Sequence, residues 1–150
     1  MEIIKATLED IPQLCLLLNS LFQQETEFSP DENAQIRGLT TILCKSELGH
    51  IIVAKESNKI IAMANILYTV STALGERVGI LEDMVVSQDY RNQGVGSKLI
   101  KYAIKFAKES GCKRLTLLTD EDNNLAHKFY IKEGFSRSTM VPFRIMLNND

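Results

Sequence analysis

The densest run of chemistry-bearing residues in this 150-residue chain is Arg91-Asn92-Gln93-Gly94-Val95-Gly96-Ser97. Two glycines let a backbone come close to a ligand, and the free N–H groups that open a helix face any anion set against them. The chemistry this suits is pyrophosphate binding. Two common phosphate motifs fail on the same residues. A dinucleotide fingerprint needs a third glycine where Leu99 stands, and a Walker A loop needs Gly-Lys where Gly96-Ser97 stands. Just upstream, Glu82 and Asp83 place two carboxylates on the segment feeding the turn. Earlier still, Glu25, Glu27, Asp31 and Glu32 cluster beside Phe28 and Pro30, in a stretch with no Lys or Arg between Lys5 and Arg37. That cluster reads as a solvated loop and helix start, or as the wall of a cation site. Metal chemistry is not expected. Cys15, Cys44 and Cys112 are odd in number, far apart and without C-x-x-C spacing, which favours reduced thiols packed as small hydrophobes, and only His50 and His127 could add imidazoles.

The elements that must position these residues follow from periodicity. Glu2 to Ala6 reads as a first strand. Thr7 and Asp10 approximate a capping box before Ile11, Leu14, Leu17, Leu18 and Leu21, an amphipathic helix ending near Phe22. Ser29 as N-cap with Pro30 behind it would start a second helix through Ile36, Leu39, Ile42 and Leu43, stopped by Gly49. His50 to Glu56 and Lys59 to Thr69 form a hairpin about Ser57-Asn58. Leu74-Gly75-Glu76 turns the chain into a third long strand, Arg77 to Val86. Helical spacing then runs from Gly94 to Ser110 and closes at Gly111; Arg114 to Thr119 is a strand, Asn123 to Glu133 a helix ended by Gly134, and Phe143 to Leu147 a last strand. Strand, helix, strand in the second half implies a right-handed crossover between parallel strands. The fold class is therefore α/β, a mixed and mostly antiparallel central sheet flanked by helices.

Bulk properties bound the function. The chain is 45% apolar and 24% charged, has no repeat or linker, and reads as one domain over residues 1–150. Its longest early apolar run, Leu14 to Leu18, is far short of the roughly 20 residues of a membrane span. No secretory signal opens it, so a cytoplasmic protein without a membrane is expected. A net charge of −2 argues against nucleic acid as partner. Residues 1–75 hold five basic and nine acidic residues, whereas residues 76–150 hold twelve and ten. An acidic half and a basic half suggest two different ligands.

Two motifs together resemble the GNAT superfamily of acetyl-CoA-dependent N-acetyltransferases. The first is its Q/R-x-x-G-x-G/A turn after a "V-x-P-x-x-R" stretch, here Val86-Ser87-Gln88-Asp89-Tyr90-Arg91, with Gln88 where proline is frequent. The second is "N-x-x-A-x-x-F/L-Y-x-x-x-G-F", here Asn123 to Phe135 with Ala126, Phe129, Tyr130 and Gly134 in register. The specific match covers residues 79–135. The resemblance implies acetyl-CoA as co-substrate, with a parallel strand pair at its site. Backbone groups of Met84, Val85 and Val86 would pair with the pantetheine arm as if it were an added strand. Arg91, Asn92, Gln93, Gly94, Val95, Gly96 and Ser97 would hold the pyrophosphate, and Asn123 and Tyr130 would line the thiol end. Lys98 and Lys128 are secondary candidates for a nucleotide phosphate.

Acetyl transfer to nitrogen needs a neutral amine, whereas an alkyl amine with a pKa of about 10.4 is mostly protonated. Glu82 matches the family position of a base, acting directly or through water. Its spacing from Val86 puts both on one face of a continuous strand, with Asp83 on the other face as second choice. Tyr130 stands at the family's acid position, suited to protonating the leaving thiolate. A backbone N–H near Val86 would meet the oxyanion. No cysteine lies in either motif, so direct attack in a ternary complex is expected rather than a ping-pong route. His127 is read as surface, without a role. Tyr68, Phe28 and Phe143 are either acceptor-pocket or core residues. The acidic 25–32 segment would suit a cationic small-molecule amine. The alternatives are a protein or peptide acetyltransferase, and a non-catalytic acyl-CoA-binding regulatory domain. A homodimer is a further expectation, since many relatives pair through terminal strands.

Overall fold

The structure is a computed structural model that describes residues 1–25 and 29–147. Five strands form one sheet in the order β1 (Glu2–Lys5), β2 (Gly49–Glu56), β3 (Lys59–Ser71), β4 (Glu76–Val86) and β5 (Leu115–Leu117). The first four pair antiparallel, and β5 runs parallel to β4. Among the described residues four α-helices flank the sheet: α1 (Ile11–Gln24), α2 (Glu32–Cys44), α3 (Val95–Glu109) and α4 (Asn124–Lys132).

Burial on both faces explains why β2 and β3 read as nearly continuous apolar runs instead of alternating ones. On one face, Leu14, Leu17 and Leu18 of α1 and Leu39 of α2 pack on Ile51, Val53, Met63 and Val85. On the other, Leu99, Ile100, Ala103 and Ala107 of α3 pack on Ile52, Ala64, Ile66 and Leu81. Ser57, at φ +56°, makes the expected hairpin turn between Glu56 and Lys59. The Thr7 and Asp10 capping box is present, and the Asp10 carboxylate also meets Lys55 Nζ at 3.1 Å.

Four expectations about elements are corrected. The second helix is capped not by Ser29 but by Asp31, whose Oδ1 accepts from Ala34 N at 3.2 Å while Gln35 Oε1 accepts from Asp31 N at 3.0 Å. A reciprocal pair satisfies two helix-end groups where Ser29 would satisfy one. Gly49 opens β2 rather than stopping α2, because a Cβ there would collide with the Ile66 carbonyl oxygen. The strand expected over Arg114 to Thr119 is only Leu115–Leu117, since its pairing with β4 ends at Leu81. Phe143 to Leu147 forms no strand among the described residues, and all five side chains are solvent-exposed.

Candidate active site

The glycine turn lies between the end of β4 and the start of α3. Gly94 caps the helix at φ +81° and Asn92 sits at φ +61°, both in the left-handed region. Alternating left- and right-handed residues turn successive N–H groups toward one side, a concavity for anions at the positive end of the helix dipole. Arg91 Nε donates back to Val86 O at 3.1 Å and Gln93 Nε2 to Asp89 O at 3.1 Å, so these side chains brace the loop on its own strand. Ser97 Oγ donates to Glu133 Oε1 at 2.6 Å, tying α3 to the end of α4 and leaving its backbone N–H for a ligand. A Cβ on Gly96 would sit 3.5 Å from Phe129 and Val86, so the helix start packs closely on both α4 and β4.

β4 carries an open edge beside this turn. Its ladder with β5 stops at Leu81↔Leu117, so among the described residues Glu82 to Val86 have β3 on one side and no strand on the other. A bulge falls at the same place: Asn65 faces Asp83 and Ile66 faces Leu81, so Glu82 is an extra residue. The bulge breaks the alternation between Leu81 and Met84, three residues apart yet on one face, whereas Asp83 to Val86 keep an unbroken register with β3. Leu81, Met84 and Val86 all belong to the α3 face, and Val85 to the α1 face. Glu82 is exposed, and Asp83 is the more enclosed of the two.

The carboxylates gather here. Burial raises the Asp83 carboxyl, an effect partly opposed by Asn65 Nδ2, which donates to Asp83 Oδ2 at 3.1 Å. Burial, then the charge of Asp83, raises Glu82. Glu25, at the end of α1, is raised by burial and by the neighbouring charges of Asp83, Asp120 and Glu82, while Arg144 acts in the opposite sense. Four acids from the end of α1, β4 and the loop after β5 thus lie close enough for their charges to act on Glu25. Asn65 is 3% exposed, and its Oδ1 has no hydrogen-bond partner. Glu27 and Phe28 lie outside the described residues.

α4 brings Tyr130 to the same cluster that Met84, Val86 and Phe129 border. Its ring meets Phe129 and Phe135 edge to face, with centroids 5.1 and 5.6 Å away, and burial pushes its hydroxyl up to about 12. Asn123 caps α4, its Oδ1 accepting from Ala126 N at 3.1 Å; only its amide N–H groups remain for a ligand. His127 is half-buried, not a surface residue, with Nε2 2.9 Å from Asp120 O. Lys98 and Lys128 are exposed.

The two aromatic candidates separate. Tyr68 packs against the core on the α3 face and also lines a cleft with Arg37, Thr41, Leu48 and Leu67, its hydroxyl 2.6 Å from His50 Nδ1 and the Arg77 guanidinium 4.4 Å over its ring. Phe143 is 97% exposed and lies neither in the core nor in a pocket. Cys15 and Cys112 are buried with raised pKa values, as packed thiols should be, whereas Cys44 is exposed. Sequence reasoning missed Asn65 and Asp120. The signal available for Asn65 was one amide inside the apolar run Ile60 to Leu67. Among the described residues, no group of three or more His, Cys, Asp or Glu is arranged to hold a metal, and no helix is long and apolar enough to cross a membrane.

Comparison with known proteins identifies the family. The model of the acetyltransferase (GNAT) family matches residues 12–135. An uncharacterized N-acetyltransferase, YhfO of Bacillus subtilis, is 30% identical over 79% of this chain and 81% of its own length. The aminoalkylphosphonate N-acetyltransferase of Salmonella typhimurium is 24% identical over 91% of this chain and 86% of its own. Among solved structures, an aminoglycoside acetyltransferase from an uncultured soil metagenomic sample, in complex with sisomicin, superposes with a TM-score of 0.80 at 22% identity, covering 98% of this chain and 96% of that one.

Proposed function

The chain belongs to the acetyltransferase (GNAT) family, and on that premise we propose that it moves an acetyl group from acetyl-CoA to a primary amine of a small cationic molecule, by direct attack in a ternary complex, with residues 1–150 acting as one transferase domain. The observation that carries this reading is the unpaired edge of β4 from Glu82 to Val86, opening between an anion-binding helix start and a cluster of carboxylates.

That edge fits the co-substrate. Met84, Val85 and Val86 offer backbone groups to an amide-bearing arm in the manner of a further strand. The N–H groups of residues 92–97 face a pyrophosphate, with Arg91 supporting the loop from behind. When bound, acetyl-CoA supplies a thioester-activated acetyl group. Everything else falls to the protein. The four carboxylates draw a cationic amine toward the bulge. There Glu82, directly or through water, takes the ammonium proton, and Asp83 makes it a stronger base by its charge. A backbone N–H near Val86 faces the negative charge that develops on the carbonyl oxygen. Tyr130 keeps its proton throughout the neutral range and presents a hydrogen-bond donor at the thiol end, beside Asn123.

The test is thiol release from acetyl-CoA across polyamines, aminoglycosides, amino acids and a lysine peptide, for wild type and Tyr130→Phe. A cationic small molecule turned over by wild type and at least tenfold slower by the variant supports the assignment. Turnover of the peptide alone moves the acceptor to proteins. Binding without turnover supports the regulatory alternative, and no binding removes the co-substrate.

A further inference from the structure

The run Ile60 to Leu67 of β3 is apolar except at Asn65. That residue is 3% exposed, and among the described residues its side chain makes one hydrogen bond, from Nδ2 to Asp83 Oδ2 at 3.1 Å. A carboxylate only accepts, so the amide cannot be turned round, and Oδ1 is left as a buried acceptor without a donor. The two polar atoms of one amide are about 2.3 Å apart, which keeps Oδ1 within about 6 Å of the carboxylate oxygen that Nδ2 meets. The carboxylate has a shortage of its own. Asn65 is its one side-chain donor, and no ion pair reaches Asp83 among the described residues. A bare buried acceptor and an unpaired, half-buried charge each cost free energy, and one group removes both costs if it carries positive charge and several N–H donors. Water satisfies Oδ1 but leaves the charge. Asp83 is half-buried whereas Asn65 is closed off, so a group that reaches the amide oxygen touches the carboxylate as well.

We propose that Asn65 Oδ1 and Asp83 together bind an ammonium group of the acceptor other than the one that is acetylated, which makes the acceptor a diamine. The assignment rests on the transferase reading above and adds a specificity site to it: Glu82 takes the proton of the reacting amine, and the Asn65–Asp83 pair holds the far end of the molecule. Consecutive Cα atoms are about 3.8 Å apart and each carboxyl reaches a few ångströms beyond its own, so the two nitrogens lie on the order of 5–8 Å apart, the span of about three to five carbons. The anchored charge also helps the chemistry. A fixed ammonium disfavours a second positive charge nearby, which moves the reacting amine toward its neutral, nucleophilic form. Discrimination follows from the same two acceptors. An alkylamine of equal length brings a methyl group to them and leaves both buried and unpaired.

Calorimetry in the presence of CoA tests the site, and initial rates with acetyl-CoA test the reaction. The probes are diaminoalkanes of about three to five carbons, set against the amino alcohols and alkylamines of equal length. The best diamine is expected to bind wild type at least about a hundredfold more tightly than its matched alkylamine. In Asn65→Leu, which keeps the branched shape and removes both polar atoms, and in Asp83→Asn, which removes the charge alone, that ratio should fall at least about tenfold, expressed in KM and not in kcat. A merely structural role would weaken the three kinds of amine alike and leave the ratio where it was. If Asn65→Leu does not fold, Asp83→Asn decides alone. Diamines that bind wild type no better than the matched alkylamines overturn the proposal, as does a ratio that survives the substitutions; Oδ1 then holds a buried water only. The two readings fail separately. Diamine binding that depends on Asn65 and Asp83, without turnover of any amine, supports the ammonium site and removes the reaction. Turnover of alkylamines as efficient as that of diamines supports the reaction and removes the site.

Discussion

Glu82 and Asp83 are adjacent on one bulge yet differ in their exposure to water, and this difference sets what each does as pH changes. Asp83 is enclosed and bonded to Asn65, and its charge is one cause of the raised carboxyl of Glu82. Asp83→Asn should therefore move the acid limb of kcat/KM to lower pH, because the repulsive neighbour is gone, while maximal turnover changes less than tenfold. Glu82→Gln should cost about 10²-fold or more and flatten that limb, which pH–rate profiles of the two variants resolve. If Asp83→Asn is the dead variant and Glu82→Gln the live one, their roles are exchanged. Stability should move the other way. A carboxyl whose folded pKa is raised binds its proton more tightly when folded, so stability falls as pH rises from the unfolded value through the folded one. Denaturant titrations should accordingly find Asp83→Asn at least as stable as wild type at pH 7, and the two converging, apart from the Asn65 bond, at low pH.

At the scale of elements, the helix start is the part whose geometry has least freedom. Gly94 holds φ +81°, where a side chain costs about 1–2 kcal/mol, although a Cβ there would meet nothing. Gly94→Ala should raise KM for acetyl-CoA by roughly fivefold to thirtyfold and leave kcat at saturation near wild type; Gly96→Ala, with ordinary 3.5 Å contacts, should change KM less. Initial-rate kinetics against acetyl-CoA separate the two. Gly94 was legible because backbone chirality writes directly into residue type. So were α1, α3 and the β2–β3 hairpin, whose apolar spacing or turn residues answer to one local geometry. The bulge at Glu82 was not, because an extra residue in a ladder is a relation between two strands and leaves β4 with an ordinary strand composition. The last expected strand was not legible for a related reason. Phe143 to Leu147 has a strand's residues, but whether they pair depends on an edge outside the segment.

Over the whole molecule, charge is divided between two regions. Lys98, Lys101, Lys105 and Lys108 line the exposed face of α3, which runs from the glycine turn, whereas Glu25, Glu82, Asp83 and Asp120 meet at the opening of β4. The arithmetic of the two halves, acidic before residue 76 and basic after it, made that division visible. The folded positions of Asp120 and Asp83 did not follow, since both come from the basic half and join Glu25 only through the sheet. An anionic donor and a cationic acceptor would each be steered by opposite charge, an effect that salt screens as the Debye length falls from about 30 Å at 0.01 M to about 10 Å at 0.1 M. Raising ionic strength over that range should therefore increase KM for both substrates several-fold while kcat holds. Charge reversal should separate the two fields. Lys101→Glu/Lys105→Glu should weaken the salt dependence for acetyl-CoA alone, and Asp120→Asn that for the amine alone. Initial rates at two salt concentrations for each variant decide it. Equal loss of both dependences in either variant would mean that one net field, not two local ones, guides the substrates.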